Sequence, residues 1–189
     1  MNLPTVDRSI RDENASAILR RWSYAVNECA DEGFSRQQQW FPGQRVLLEI
    51  LSVMTRDRVL RMADCGLPLF TIRTPMVGSS SALPIQLIRP QDEMHAQATQ
   101  EAFVALMCRL DSLRTSATEA EILYDLPSAH ANFINRHGPH ELHSLASDPS
   151  VVLLPAVADE YFLLAATTQH LTLRERTVLA GAARRKLIH

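Results

Sequence analysis

Cysteine is scarce in this chain: Cys29, Cys65 and Cys108 are the only three among 189 residues, far apart and with no CxxC pair. That excludes a disulfide framework and a four-cysteine zinc cluster, and leaves buried, reduced thiols as the expectation. Long apolar runs are missing as well. None approaches the roughly 20 residues that span a bilayer. The N-terminal stretch MNLPTVDRSIRDENASA is polar and mixed in charge. It has no apolar segment of the secretory type, so a cytoplasmic protein without a membrane partner is expected. HExxH and the nucleophile-elbow pattern do not occur. The one Gly/Ser-rich stretch, GSSSALP, runs into Pro84 and IQLIRP. A phosphate cradle needs a helix N-terminus at that point, so the stretch reads as a surface loop.

Histidine is concentrated in HANFINRHGPHELH, which holds His130, His137, His140 and His143. Histidines three apart on a helix can share a metal. Here Gly138 and Pro139 interrupt the helix between His137 and His140, and Glu141 points away from the His140–His143 face. A solvated or half-buried helix face is the expected reading. No catalytic, cofactor-binding or metal-binding residues are assigned, and the chain is expected not to be an enzyme.

What is present is a globular composition, 46% apolar and 21% charged, in which a core is affordable without staples. The net charge of −2 is uneven. Residues 1–90 carry 11 Arg against 9 acids, residues 91–160 carry 3 Arg against 11 acids, and residues 161–189 carry five cations against Glu175. An acidic middle therefore precedes a basic tail suited to an anionic partner.

The apolar spacing is helical almost throughout. Ile18, Trp22, Ala25 and Cys29 form one stripe within residues 15–31. Gly33, Pro42 and Gly43 break it. A helix over 44–53 follows, then a third, capped by Thr55 with Asp57 in its first turn, ending near Gly66. LPLFTIR reads as a short strand. Residues 92–115 form the longest helix, with Phe103, Leu106, Met107, Leu110 and Leu113 as its stripe. Further helices are expected at 117–124, from Pro127 to Gly138, and from Pro139 to SDP. SVVLLPAV is a second strand, and ADEYFLLAATTQH and TLRERTVLAGAARRKL are closing helices.

The two halves echo each other. Sliding the chain by 83 positions (129 − 46) places Phe41 on Tyr124, Ile50 and Leu51 on Phe133 and Ile134, Val59 on Leu142, and Met62 and Ala63 on Leu145 and Ala146. Leu69 and Phe70 fall on Val152 and Leu153. Residue character, helix breaks and the apolar strand repeat in order, although few identities do. The period is too long for a solenoid and is that of a duplicated small domain.

This doubled unit resembles FlhD, the flagellar regulator subunit that partners FlhC. The resemblance rests on a long helix, then helix, turn and helix ending in Leu-Ala plus a polar residue, then a short apolar strand. In the second half these are FVALMCRLDSL, ILYDLPSAHANFINRHGPHELHSLAS and SVVLL. In the first they are AILRRWSYAVNECA, QRVLLEILSVMTRDRVLRMAD and LPLFTIR. The chain departs from the family in holding two units rather than one, and in lacking a cysteine in either strand. The resemblance implies a mainly α fold of two tandem FlhD-like units, residues 1–90 and 91–189, each with one short strand, paired as an internal pseudo-dimer. It also implies a transcriptional regulator subunit that acts with an FlhC-like partner on promoter DNA and, at the promoter, with RNA polymerase. Further oligomers are compatible with it. An anti-activator occupying an FlhD-type surface without binding DNA is the alternative, and a small enzyme of unknown chemistry the second.

The candidate DNA-contacting residues are cations. Arg174, Arg176, Arg184, Arg185 and Lys186 lie on or beyond the last helix, and Arg56, Arg58 and Arg61 on the third. The plainer reading of the tail is a helix end whose cations complement the helix dipole. Asp57 and Asp64 dilute the second group. Trp22, Trp40 and Phe41 read as core anchors rather than base-stacking residues.

Overall fold

The computed structural model describes residues 3–27, 40–74 and 93–184, with side chains from Arg8 onward. It is mainly helical. The described elements are α1 (Leu3–Asn27), α2 (Arg45–Ser52), α3 (Arg56–Ala63), β1 (Phe70–Arg73), α4 (Glu93–Thr115), α5 (Ala117–Tyr124), α6 (Ser128–Arg136), α7 (Pro139–Ala146), β2 (Val152–Pro155), α8 (Asp159–Thr167) and α9 (Leu173–Ala182). The two strands expected from the sequence pair with each other in a two-stranded sheet. No described helix is long and apolar enough to cross a membrane.

Contacts divide the chain into two compact units. One holds residues 1–70 and 154–189, the other Thr71–Leu153. The grouping differs from a split at residue 90, because everything from Leu154 onward associates with the N-terminal segment.

In the first unit α1 packs on α2 and α3, and α8 packs on α2, α3 and α9. The helix starts at Leu3, well before the residue-15 start expected from its stripe. Polar residues occupy the inward face there and hide the periodicity: Glu13 and Asn14 are buried beside Ile10. Asn14 earns its burial by bridging the turn before β1. Its amide nitrogen donates to the Leu67 carbonyl at 2.9 Å, and its oxygen accepts from the Leu69 N–H at 2.9 Å. A buried amide needs both kinds of partner, and this one has them. The core proper is aromatic. Tyr24 and Phe41 stack at 5.0 Å and Phe70 and Phe162 at 6.2 Å. Trp40 and Phe41 are buried core anchors, while half-buried Trp22 donates its indole N–H to the Met54 carbonyl at 2.9 Å.

In the second unit α4 packs on α5, α6 and α7. Its inward face is Ala98, Ala102, Ala105, Leu106, Arg109, Leu110 and Leu113. The expected stripe is thus rotated: Phe103 and Met107 are only half-buried. Small alanines let neighbouring helices approach closely, which moves the seam toward them. Asp125 takes a left-handed conformation (φ 51°) at the end of α5 and turns the chain into α6. Thr55 does precede α3, with Asp57 in its first turn, but its hydroxyl makes no capping bond. By contrast, Glu141 accepts the Gly138 N–H at 2.8 Å ahead of α7, and Thr172 and Glu175 form a reciprocal capping box ahead of α9.

The repeat spacing reappears in the elements. α3 and α7 begin 83 positions apart (139 − 56), and so do α2 and α6 (128 − 45). Each unit buries an arginine in its long helix. Arg21 donates from Nη1 to the Ala17 carbonyl, and Arg109 from Nη1 to the Ala105 carbonyl, both at 2.7 Å. The guanidinium of Arg21 lies 5.3 Å from the Phe41 ring centre and 4.3 Å from that of Phe70. That of Arg109 lies 4.5 Å from the Tyr124 ring centre. Phe41 and Tyr124 are the pair that the 83-residue slide superposes.

Candidate nucleic-acid interface

The arginines proposed from the sequence fall into distinct environments. In the first unit a short turn at 53–55 joins α2 to α3. α3 is amphipathic by the simplest pattern. Val59, Met62 and Ala63 are buried against α1 and α8, and Arg56, Asp57, Arg58 and Arg61 are exposed. Among the described residues none of these four has an ion-pair partner. Other arginines of the same unit do: Arg45 Nε is 2.7 Å from Glu49 Oε1, and Arg11 Nη1 is 3.3 Å from Asp64 Oδ1.

Arg176 is not on the surface. It is 8% exposed, and its Nε donates to the Asp64 carbonyl at 2.6 Å. Its Nη1 donates to the Leu171 carbonyl, and its Nη2 pairs with the Asp64 carboxylate. Beside it, the Gly66 N–H donates to Thr177 Oγ1 at 3.0 Å. Arg176 is therefore a latch that fixes α9 to the turn after α3, and it drops out of the phosphate-contacting set. Arg176 and Ala180 face inward while Val178 is 65% exposed. Satisfying a guanidinium with two carbonyls and a carboxylate outweighed burying one valine. Arg174 is exposed, and Arg184 is half-buried where its backbone bridges Val157. Arg185 and Lys186 lie outside the described residues, as do GSSSALP and Cys29.

Asp64→Asn should detach this latch. It removes the carboxylate from Arg176, which is buried, and from Arg11, which is solvent-screened. The expected cost is about 1–2 kcal/mol in urea unfolding, with faster tryptic cleavage in α9. Unchanged cleavage would show that Thr177 and the main-chain carbonyls suffice.

Behind the latch lies a buried pair. The Tyr161 hydroxyl donates to the Met62 carbonyl at 2.8 Å, and the Cys65 sulfur accepts the Leu67 N–H at 3.4 Å. Burial pushes the Tyr161 phenol far above its ordinary value of 10.0, with the neighbouring Cys65 adding to it, and burial likewise raises the Cys65 thiol. Both groups are neutral when protonated, so their contribution to stability is complete below the ordinary values and is lost as pH rises beyond them. Stability should fall steeply above about pH 10. Tyr161→Phe should cost about 1 kcal/mol at neutral pH through the lost hydrogen bond, yet flatten the alkaline fall. Chemical denaturation across pH checks both.

His137 Nδ1 lies 2.6 Å from the Phe133 carbonyl and its ring packs at 4.3 Å on Phe133, while His143 meets Phe103 edge-on at 5.2 Å. Among the described residues no group of three or more His, Cys, Asp or Glu is placed to hold a metal ion. No family model, no curated protein and no solved structure matches the chain.

Proposed function

We propose that this protein is a non-enzymatic transcription-regulator subunit of FlhD-like type, acting with an FlhC-like partner and contacting promoter DNA through α3. The carrying observation is the set Arg56, Arg58 and Arg61: exposed, without ion-pair partners among the described residues, on a short helix that follows another after a three-residue turn. A helix so placed suits a DNA groove, and unpaired arginines suit phosphates. Exposed Arg174 adds a further cation. The 83-residue spacing shared by α2–α3 and α6–α7 supports the reading of two tandem units forming an internal pseudo-dimer.

The test is duplex DNA binding by the full chain, titrated with salt. Affinity should fall linearly on logarithmic axes as counterions are released. Capture from the native host should recover an FlhC-like protein. Binding that is absent at low salt would sink the DNA contact.

A second reading, the anti-activator or interaction module, is supported by a different face. Val46 and Ile50 on α2, with Val53 in the turn just after it, form an i, i+4, i+7 apolar series, Val53 being 78% exposed. That reading predicts interference with another protein's DNA binding and no salt-sensitive DNA binding of its own.

A further inference from the structure

The arrangement of charge around α3 says more than that the helix is basic. Successive residues turn by about 100°. Val59, Met62 and Ala63 define the inward direction. Asp57 and Arg61, four apart, then stand on the line opposite, and Arg56 and Arg58 lie about 100° to either side of Asp57. An aspartate at the crest of a surface that touched only phosphate would weaken binding by repulsion. It is not neutralised by its neighbour either: among the described residues no ion pair joins Asp57 to Arg61, although the same spacing on α2 joins Arg45 to Glu49 at 2.7 Å.

Resting on the DNA-contact reading above, we infer that α3 reads duplex DNA in the major groove and selects a G·C-containing site, with Asp57 and Arg61 facing base edges and Arg56 and Arg58 facing the flanking phosphates. The chemistry matches the groove's pattern. A carboxylate accepts from the amino group of cytosine, and arginine bonds O6 and N7 of guanine. A helix roughly 10–12 Å across with its side chains fits a groove about 12 Å wide. The acid then acts as a filter: it is tolerated over a cytosine amino group and repelled by acceptors or by a phosphate.

The matching helix of the second unit does not carry this set. At the positions 83 further on, α7 has Pro139, His140, Glu141 and Ser144 in place of Arg56, Asp57, Arg58 and Arg61. One chain therefore presents one reading helix, and the selected site is a single short element without internal symmetry.

The experiment is selection from a duplex library with a random core by the full-length protein, followed by fluorescence anisotropy on selected and scrambled duplexes at about 50 and about 200 mM salt. Wild type should enrich one G·C-containing core. Asp57→Asn, an exposed and nearly isosteric change, should bind scrambled duplex as well as or better than wild type, and lose about tenfold discrimination at one base pair. Arg58→Ala should weaken selected and scrambled duplexes alike and lower the salt slope by about 1. Salt-dependent binding with no enriched core, or an Asp57→Asn protein that selects the same core with undiminished discrimination, overturns base readout and leaves the DNA-contact reading standing. No binding of any duplex at the lower salt overturns both.

Discussion

Arg21→Ala and Arg109→Ala are each expected to lower unfolding stability by about 3–5 kcal/mol, the range for removing a large, fully packed side chain. Both arginines are essentially sealed from water, at 1% and 0% exposure. A guanidinium in that position is tolerable only if its donors and its faces are occupied. Arg21 donates from Nε to Gln44 Oε1 at 2.6 Å and from Nη1 to a carbonyl, and two aromatic rings flank it. Truncation forfeits the ring contacts, worth about 2 kcal/mol when desolvated. It also leaves a volume that the rings cannot fill without shifting, and takes one donor away from the buried Gln44 side chain. Arg109 donates from Nη1 to the Ala105 carbonyl and stacks on Tyr124 in the same way. The double variant should lose about the sum of the two. Against a usual total of about 5–15 kcal/mol, it should be largely unfolded. Urea denaturation followed by circular dichroism decides it. Losses below about 1 kcal/mol for both single variants would mean that the arginines are incidental to packing.

Arg56→Ala with Arg58→Ala should weaken duplex binding by roughly 30-fold at about 100 mM salt and flatten the salt dependence by about 1.8 on logarithmic axes, two phosphate contacts at about 0.9 each. Both residues are exposed and outside the core, so folding should be unaffected. Arg176→Ala is the contrasting variant. It removes a cation nearer the chain's basic end, yet that cation is buried against Asp64. It should reduce stability and leave the salt slope where it was. If the slope followed Arg176 instead, the assignment of surface to α3 would be wrong.

Each helix after the first was legible to within a few residues because its apolar face repeats at helical spacing, and both strands because β-branched and aromatic residues run together there. The 83-residue echo was legible for the same reason: it is a repetition of pattern, and α2, α3, α6 and α7 appear at that spacing. The early part of α1 was not, since its inward positions include Glu13 and Asn14, and only a tertiary partner for Asn14 makes such residues acceptable inside. For the candidate interface, residue type alone put Arg176 with Arg56, Arg58 and Arg61. Local periodicity cannot tell an arginine in solvent from one that a distant aspartate has drawn in.

By itself, then, the order of apolar and polar residues determined that this chain is mainly helical, where its turns fall, that two strands flank the helical runs and that its halves rhyme, because all of these depend on neighbours within a few positions. Only the tertiary structure decided which arginines are buried, that residues from Leu154 onward group with the first 70, and which face of α9 is inward. The burial of Arg176 turns on a partner more than a hundred residues away, Asp64, where the desolvation of a charge is balanced by groups that no local pattern reveals.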